Sequence, residues 1–296
     1  MSSAAASSAT ASERWWPAPA KLNLLLHVTA RRTDGYHDLQ TLFQLLDWGD
    51  ELRFEITADP AIERASGPAA IAPEDDLCMR AARLLQRVTG ERQGARIHLR
   101  KRIPMGGGLG GGSSDAATTL LVLDRLWGTA LGTAALCQLG LELGSDVPVF
   151  LQGSSAWAEG RGERLTPMEL PERWYLIIHP GVAVGTREIF QAPELTRNSP
   201  VITIRDVSPD PGRFDGARND CEPVVRARFP AVAAALDWLS IRAPARLSGT
   251  GSCIFAAFAS AAAAERVAEQ VPDEWRSYVA RGVNRSPLAE ALAAWC

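Results

Sequence analysis

The chain has 296 residues, enough for one large domain or two ordinary ones, and its apolar fraction of 46% can build a sizeable hydrophobic core. Its formal net charge of −3 gives no electrostatic basis for binding nucleic acid or a membrane surface. Its five cysteines are widely spaced and include no C-x-x-C pair. A zinc cluster and a disulfide framework are therefore disfavoured, and a reducing, cytoplasmic environment is expected.

The first predicted element is a strand that follows a tail. Residues 1–14 are rich in serine and alanine and lack the apolar segment of a signal peptide, so we predict a disordered tail. No run approaches the ~18 apolar residues of a membrane span. Residues 21–28 alternate as a strand does, which puts Lys21 and Asn23 on one face near its start. This pair either reaches into a cleft or is half-exposed, as strand residues often are.

A loop is predicted next, because Asp34-Gly35 is a turn signal. Tyr36 and His37 follow this turn directly. They either stack on and hydrogen-bond a base or sugar, or anchor the loop to the core. The elements predicted after the loop are strands at 39–46 and 51–57, separated by residues 47–50 (Asp-Trp-Gly-Asp), and a helix at 76–88.

Six of the twelve residues in the segment 104–115 (Pro-Met-Gly-Gly-Gly-Leu-Gly-Gly-Gly-Ser-Ser-Asp) are glycine. Residues 95–103 alternate like a strand, and residues 114–127 fit a helix capped by Ser113 or Ser114. A glycine loop that opens a helix presents free backbone N–H groups at the positive end of the helix dipole. The segment therefore predicts a phosphate site.

The residues around the glycines argue against two common kinds of phosphate-binding loop. No lysine follows them, as a Walker A loop requires. Gly106, Gly108 and Gly111 match the dinucleotide pattern, but Asp124 falls inside the predicted helix and not at the end of a second strand, so a Rossmann oxidoreductase is disfavoured. The basic run at 100–102 is interpreted as a solvated strand end, and Asp115 is placed in the first turn of the helix.

Asp146 is the most informative carboxylate in the next part of the chain. It follows a glycine turn and precedes Val147-Pro148 in apolar surroundings, where proline disfavours a helical conformation for Val147. A carboxylate in such a place either caps a turn or helix or has a chemical role.

The second half mixes strands and helices without a regular βαβ order. The stretch Gly249-Thr250-Gly251-Ser252 either wraps a phosphate or forms a hairpin turn. The pattern predicts an α+β fold in two halves, not a doubly wound sheet. The predicted elements are a strand at 174–179, a helix or turn at 185–190, a loop-rich crossing at 194–216, helices at 222–227 and 231–239, a strand at 253–258, a helix at 261–271 and a strand at 275–282.

The central loop 104–114 and the stretch 247–252 resemble the phosphate loop and C-terminal glycine motif of the GHMP small-molecule kinases. With the segments 19–24, 34–41 and 144–150, the set is similar to members that phosphorylate the 2-hydroxyl of a cytidine diphosphate methylerythritol in the non-mevalonate isoprenoid route. The resemblance implies a two-domain α+β architecture with the active site in the cleft between domains. The N-terminal ATP-binding and catalytic domain would span 15–165, and the C-terminal substrate-binding domain 166–296.

The resemblance also implies roles for individual residues. Asp146 would be the catalytic base, and Lys21 would lie beside it and stabilise charge on the transferring phosphoryl group. Tyr36 and Phe190 would sandwich the cytosine while His37 bonds its edge. The other expected substrate contacts are Asn23, Gly249, Thr250 and Gly251. The residues expected to hold the ATP phosphates are Pro104, Met105, Gly106, Gly107, Gly108, Leu109, Gly110, Gly111, Gly112, Ser113 and Ser114.

The same resemblance bears on cofactors and partners. ATP with Mg²⁺ bridging its phosphates is expected, with no protein ligand of the metal assigned. The expected partner is the small-molecule substrate, with no nucleic acid and no membrane, and the chain would be a monomer or weak homodimer. Three alternatives remain: another GHMP kinase of homoserine, mevalonate or galactose type, a nucleotide-binding regulator that has lost catalysis, and the Rossmann oxidoreductase.

Overall fold

The computed structural model describes residues 13–204 and 218–295. Most of the predicted tail, and the predicted loop from residue 205 onward, lie outside the described residues. The strands are β1 (Trp16–Arg31), β2 (His37–Thr57), β3 (Ile62–Ser66), β4 (Gly94–Arg100), β5 (Ala156–Gly160), β6 (Arg164–Pro167), β7 (Trp174–His179), β8 (Ala245–Leu247), β9 (Ile254–Phe258) and β10 (Arg276–Val283). The helices are α1 (Leu77–Thr89), α2 (Gly111–Leu126), α3 (Gly132–Leu143), α4 (Val147–Gln152), α5 (Thr186–Gln191), α6 (Glu222–Arg228), α7 (Pro230–Ser240), α8 (Ala261–Ala268) and α9 (Pro287–Ala293).

Strand β2 is the hub of the sheet, because it pairs antiparallel with β1, β4, β5 and β10. The main path runs β3-β4-β2-β10-β7-β9-β8, so β10 joins the two halves of the chain. It meets β2 through Gly282 and Val283. A Cβ on Gly282 would lie 2.8 Å from the side chains of Gln44 and Tyr175, so this crossing requires glycine. The mostly antiparallel sheet confirms the predicted α+β class.

The predicted interruption at 47–50 is wrong, since β2 continues through these residues. A Cβ on Gly49 would lie 2.1 Å from the carbonyl oxygen of Ala18 on β1, so glycine serves the close approach of two strands. Asp50 is buried, and its carboxylate accepts hydrogen bonds from two backbone N–H groups just after β4 (2.5 and 2.8 Å). Residues typical of a turn are thus used inside a strand.

Helix α2 begins earlier than predicted. Its cap is Gly110 in a left-handed conformation (φ 72°), with no side-chain hydrogen bond at the cap. Ser113 and Ser114 therefore lie inside the helix and do not cap it. The glycine loop leads into the helix through a backbone conformation that a serine would adopt only with strain.

Helix α4 begins at Val147, with Pro148 in its first turn. The prediction that Pro148 keeps Val147 out of a helix is therefore wrong. Proline is favoured in a first turn because the N–H group that it lacks would have no partner inside the helix there. Asp146 immediately precedes this helix, and its side chain makes no capping hydrogen bond.

Three hydrophobic clusters stabilise the sheet. One lies between β1, β2, β4 and helices α1–α4, and a second lies between β7, β9 and helices α5–α8. The third, which includes Leu22 and Phe255, lies where the two halves meet. Leu288 of α9 packs into the first cluster, so the end of the chain returns to the N-terminal half. The division between 15–165 and 166–296 stays a prediction.

Candidate active site

The glycine loop between β4 and α2 is held in a conformation that side chains would prevent. Gly106, Gly108 and Gly110 have φ values of 67°, 74° and 72°. A Cβ on Gly108 would lie 2.1 Å from the carbonyl oxygen of Ser248, and one on Gly110 would lie 2.9 Å from the ring of Phe150. The loop is thus shaped by close backbone approach, as a phosphate loop is.

The second glycine stretch is both a hairpin loop and a wall of the same site. It connects β8 to β9, and Ser248 N–H donates to the Cys253 carbonyl (3.0 Å). It also docks on the first loop, because Ser252 N–H donates to Gly106 O (3.1 Å) and Cys253 N–H donates to Gly107 O (3.0 Å). The hairpin that the sequence left as one alternative is therefore present, and the contact of this stretch with a phosphate stays a prediction.

Lys21 and Asp146 meet beside the glycine loop. Lys21 is buried, and its Nζ lies 3.1 Å from Oδ2 of Asp146, whose side chain is 30% exposed. The ammonium group also donates to Gly108 O (3.1 Å) and to Oδ1 of Asn23. The strand face that carries Lys21 and Asn23 therefore reaches into a cleft and is not half-exposed.

A cavity of about 460 Å³ extends from this ion pair along the glycine loop. The predicted site residues that line it are Lys21, Asn23, Pro104, Met105, Gly106, Gly107, Gly108, Leu109, Gly110, Gly111, Gly112, Ser113, Asp146, Phe190, Gly249 and Thr250. The predicted residues that are not among its lining residues are Tyr36, His37, Ser114 and Gly251. Ser114 is buried, and its hydroxyl has no hydrogen-bond partner among the described residues.

Of the predicted cytosine-binding residues, Phe190 lines the cavity, and His37 lies against it. His37 stacks directly on Phe190, with ring centroids 5.3 Å apart, and its Nε2 accepts a hydrogen bond from Nε of Arg197 (3.1 Å). Burial, together with the charges of Arg197 and Arg31, lowers the pKa of His37. Tyr36 is 54% exposed, with the Arg161 guanidinium 5.0 Å from its ring centroid.

A buried ion cluster that includes the cavity-lining residues Lys101 and Asp115 contradicts one prediction. Lys101 is not a solvated strand-end residue: its Nζ lies 2.7 Å from Asp50 and 2.6 Å from Asp115, and all three side chains are at most 16% exposed. Burial raises the pKa of Asp115, opposed by Lys101 and assisted by the charge of Asp50. The Lys101 ammonium group thus contacts two carboxyl groups.

This cluster predicts how stability depends on pH. Because the folded-state pKa of Asp115 is raised, the proton it holds contributes stability that is present at low pH and is lost progressively above about pH 4, the usual pKa of an aspartate. Asp115→Asn removes this dependence. We expect the difference in Tm, mutant minus wild type, to rise by a few degrees between pH 5 and pH 8.5, measured by calorimetry.

The control for this measurement is Asp34→Asn. Asp34 is exposed, and a hydrogen bond from Arg32 lowers its pKa, so its titration is complete below the measured range. Its Tm difference should be flat from pH 5 to pH 8.5. A flat profile for Asp115→Asn as well would show that burial does not raise the pKa of Asp115.

Several residues of this site carried no recognisable signal in the sequence. Lys101 belongs to a basic run of an ordinary kind, and its partners come from β2 and α2. Arg197 donates to carbonyl groups of residues 190, 192 and 195 as well as to His37, so it fixes the position of the segment that carries Phe190. Arginine is frequent throughout the chain, so nothing in the sequence singled out Arg197 for these contacts.

Within residues 13–204 and 218–295, no group of three or more His, Cys, Asp or Glu side chains could hold a metal ion. No helix in that part of the chain is long and apolar enough to cross a membrane.

Comparison with known families places this fold and its glycine loop in a defined class. The family model for the GHMP kinases N terminal domain matches residues 76–154, and the model for the GHMP kinases C terminal matches residues 211–277. The predicted GHMP-kinase-like α+β architecture is therefore confirmed, and the chain is a small-molecule kinase whose phosphoryl donor is ATP.

Comparison with whole proteins is more specific. Relatives from Halorhodospira halophila and Alkalilimnicola ehrlichii, both described as 4-diphosphocytidyl-2-C-methyl-D-erythritol kinase, are 54% and 56% identical over 94% of this chain, and the matches cover 96% and 94% of the relatives. A crystal structure of a 4-(cytidine 5'-diphospho)-2C-methyl-D-erythritol kinase is 33% identical with a TM-score of 0.75, covering 91% of this chain and 100% of that one. The chain belongs to the 4-diphosphocytidyl-2-C-methyl-D-erythritol kinase family.

Proposed function

We propose that the chain transfers the γ-phosphoryl group of ATP to the 2-hydroxyl of 4-diphosphocytidyl-2-C-methyl-D-erythritol. The products are ADP and the 2-phosphate, an intermediate of the non-mevalonate route to isopentenyl diphosphate. The observation that carries this proposal is the ion pair between Lys21 Nζ and Asp146 Oδ2 (3.1 Å) in a cavity walled by two glycine loops. Family membership at more than 50% identity supports the choice of substrate.

Asp146 is proposed as the general base. Lys21 holds Oδ2, which leaves the other carboxylate oxygen to accept the proton of the substrate's hydroxyl. The hydroxyl oxygen forms a bond to the γ-phosphorus as the bond to the β–γ bridging oxygen breaks, and ADP leaves. Positioned proton transfer of this kind contributes ~10²–10⁴-fold. Most of the remaining rate enhancement comes from positioning and electrostatic stabilisation.

The glycine loop is proposed to bind the ATP phosphates. Its backbone N–H groups and the start of α2 provide the positive potential that a polyphosphate requires. Mg²⁺ fits this site, because it commonly takes its ligands from phosphates, water and one or two carboxylates. The hydroxyl of Ser113 lines the cavity and would hold the ion together with the phosphates and water. When bound, Mg²⁺ neutralises charge on the β- and γ-phosphates.

The cytidine is proposed to bind at Tyr36, His37 and Phe190. The pKa of His37 is lowered, so the ring is neutral near pH 7. Its Nε2 accepts from Arg197, which puts the hydrogen on Nδ1 and makes that atom a donor. Cytosine offers acceptors at O2 and N3, which this donor suits. Because Phe190 stacks on His37 here, we expect Phe190 and Tyr36 to enclose the base only when the substrate binds.

The stacking role predicts a selective effect of Tyr36→Ala. The KM for the cytidine substrate should rise about 5- to 150-fold, the equivalent of ~1–3 kcal/mol per stacked base, while the KM for ATP changes little. Steady-state kinetics with each substrate varied in turn measures this. Tyr36→Phe keeps the ring and is the control. Equal increases in both KM values would mean that Tyr36 only supports the fold.

The proposed reaction is tested by identifying its product. Purified protein is incubated with ATP, Mg²⁺ and the cytidine substrate, and the product is examined by ³¹P NMR. We expect one new phosphomonoester signal, with proton and carbon shifts that assign it to the 2-position. A phosphate on any other hydroxyl, or ATP binding without any product, would contradict the proposal. The second outcome is what a nucleotide-binding regulator predicts.

A further inference from the structure

A chain of buried hydrogen bonds leads from β2 to the ammonium group of Lys21. The hydroxyl of Thr41 donates to the Leu25 carbonyl (2.5 Å), and the amide nitrogen of Asn23 donates to the Thr41 oxygen (2.8 Å). The amide oxygen of Asn23 then accepts from Lys21. Thr41 is 1% exposed and Asn23 is 3% exposed, so water does not compete for these contacts.

The direction of this chain is fixed by chemistry. A backbone carbonyl can only accept a hydrogen bond, so the proton of the Thr41 hydroxyl must point to Leu25. The Thr41 oxygen can then act only as an acceptor, and it must face the NH₂ side of the Asn23 amide. As a result the oxygen side of that amide faces Lys21. With the amide turned over, two acceptors would face each other at Thr41, and two donors would face each other at Lys21.

The local backbone makes this arrangement available. The pairing of β1 with β2 is irregular between Asn23 and Leu25, where Asn23 is opposite Phe43 and Leu25 is opposite Leu42. A bulge of this kind interrupts the ladder and re-aims side chains, and bulges are common beside active sites. Here it lies next to the point where Thr41 reaches the Leu25 carbonyl.

The Lys21 ammonium group is surrounded by three oxygens. It donates hydrogen bonds to Asn23 Oδ1 and Gly108 O, and it forms an ion pair with Asp146 Oδ2. Gly108 O is itself held by the Ser248 hydroxyl (3.0 Å), and Asn23 Oδ1 is held by the chain from Thr41. These two fixed acceptors therefore hold the ammonium group in place, with its nitrogen 3.1 Å from Asp146 Oδ2.

We propose that Thr41 is a positioning residue for phosphoryl transfer. By fixing the orientation of the Asn23 amide it keeps an oxygen in front of Lys21, and Lys21 in turn holds the carboxylate of Asp146. Thr41 makes no contact with the reacting atoms in this scheme, which rests on the proposed function for the roles of Lys21 and Asp146. Asn23 is left with one amide hydrogen that it can donate to the substrate.

The kinetic test compares Thr41→Val with Thr41→Ser. Valine keeps the branched shape and removes the hydroxyl, so we expect kcat to fall by about tenfold or more while both KM values stay within about threefold. Serine keeps the hydroxyl and should retain kcat within about threefold. A kcat for Thr41→Val equal to that of the wild type would overturn the proposal while leaving the proposed function intact.

A double-mutant cycle separates positioning from other roles. If Thr41 acts through Asn23, adding Thr41→Val to Asn23→Ala should change kcat by less than about twofold. Additive losses would mean that Thr41 acts independently of Asn23, either on the substrate or on the fold, and would contradict the proposal. Melting temperatures of all variants show whether the fold is retained.

A spectroscopic measurement tests the same point without turnover. The side-chain NH₂ signals of Asn23 are assigned by their loss in Asn23→Ala, and their exchange with solvent hydrogen is followed by ¹⁵N-edited NMR. We expect slow exchange in the wild type and in Thr41→Ser, and markedly faster exchange in Thr41→Val. Unchanged exchange in Thr41→Val would overturn the proposal, even if the wild type proved inactive on the cytidine substrate.

Discussion

Asp146→Asn is expected to lower kcat by ~10²–10⁴-fold, the usual contribution of a positioned general base. Asparagine has nearly the same shape as aspartate but cannot accept the proton of the attacking hydroxyl at neutral pH. It also loses the charge that pairs with Lys21 at 3.1 Å. ATP binding should change little, because the glycine loop and not Asp146 is proposed to hold the phosphates. Stopped-flow or steady-state kinetics gives kcat, and calorimetric titration gives the Kd of ATP.

The matched control is Glu142→Gln. Glu142 is an exposed carboxylate on α3, four residues before Asp146, and the same charge is removed there without touching the cavity. Its kcat should match that of the wild type. Near-normal turnover by Asp146→Asn would remove Asp146 from the mechanism.

Gly108→Ala is expected to lower kcat/KM for ATP by about 100-fold or more. A Cβ at this position would lie 2.1 Å from the carbonyl oxygen of Ser248 and 3.1 Å from the backbone of Gly251, so the loops must move apart. A shift of about 1 Å in a group that positions a substrate can cost ~10²-fold. The carbonyl of Gly108 also accepts from Lys21, so the ion pair with Asp146 would move too.

Gly128→Ala controls for backbone strain in this experiment. Gly128 has a similar φ of 69°, but nothing lies within 4 Å of a Cβ built there. Gly128→Ala should lower the free energy of unfolding by only ~1–2 kcal/mol, the cost of a left-handed conformation in a residue other than glycine. The kinetics of ATP use should stay unchanged. Equal kinetic effects of the two alanine variants would show that the contact with Ser248 is unimportant.

The sequence predicted elements well where the pattern was local. The segment 174–179 is a continuous run of mostly apolar, strand-forming residues that ends before Pro180, and β7 has those bounds. Asp76 and Gly90 delimit α1 as its cap residues, in line with the predicted helix at 76–88. In contrast, residues 47–50 (Asp-Trp-Gly-Asp) have the composition of a turn. Strand β1 and the backbone just after β4, both distant in sequence, hold them in a strand. Local rules cannot include such partners.

In the candidate site too, residues within motifs were predicted, whereas contacts that depend on residues distant in sequence were not. The resemblance identified Lys21 and Asp146 from their motifs, and the structure brings them together from β1 and from the start of α4. Lys101 was misinterpreted because a basic run is usually solvated, whereas here Asp50 and Asp115 make its burial favourable. Thr41 lay within a stretch used for the resemblance, but its contacts with Leu25 and Asn23 depend on strand pairing and on a bulge.

The central claim is tested most directly by ADP release in a coupled assay with ATP and Mg²⁺. The assay compares 4-diphosphocytidyl-2-C-methyl-D-erythritol with homoserine, mevalonate and galactose as acceptors. We predict turnover with the cytidine compound and none above background with the other three alcohols. Turnover with another alcohol and not with the cytidine compound would retain the kinase fold and contradict the proposed substrate.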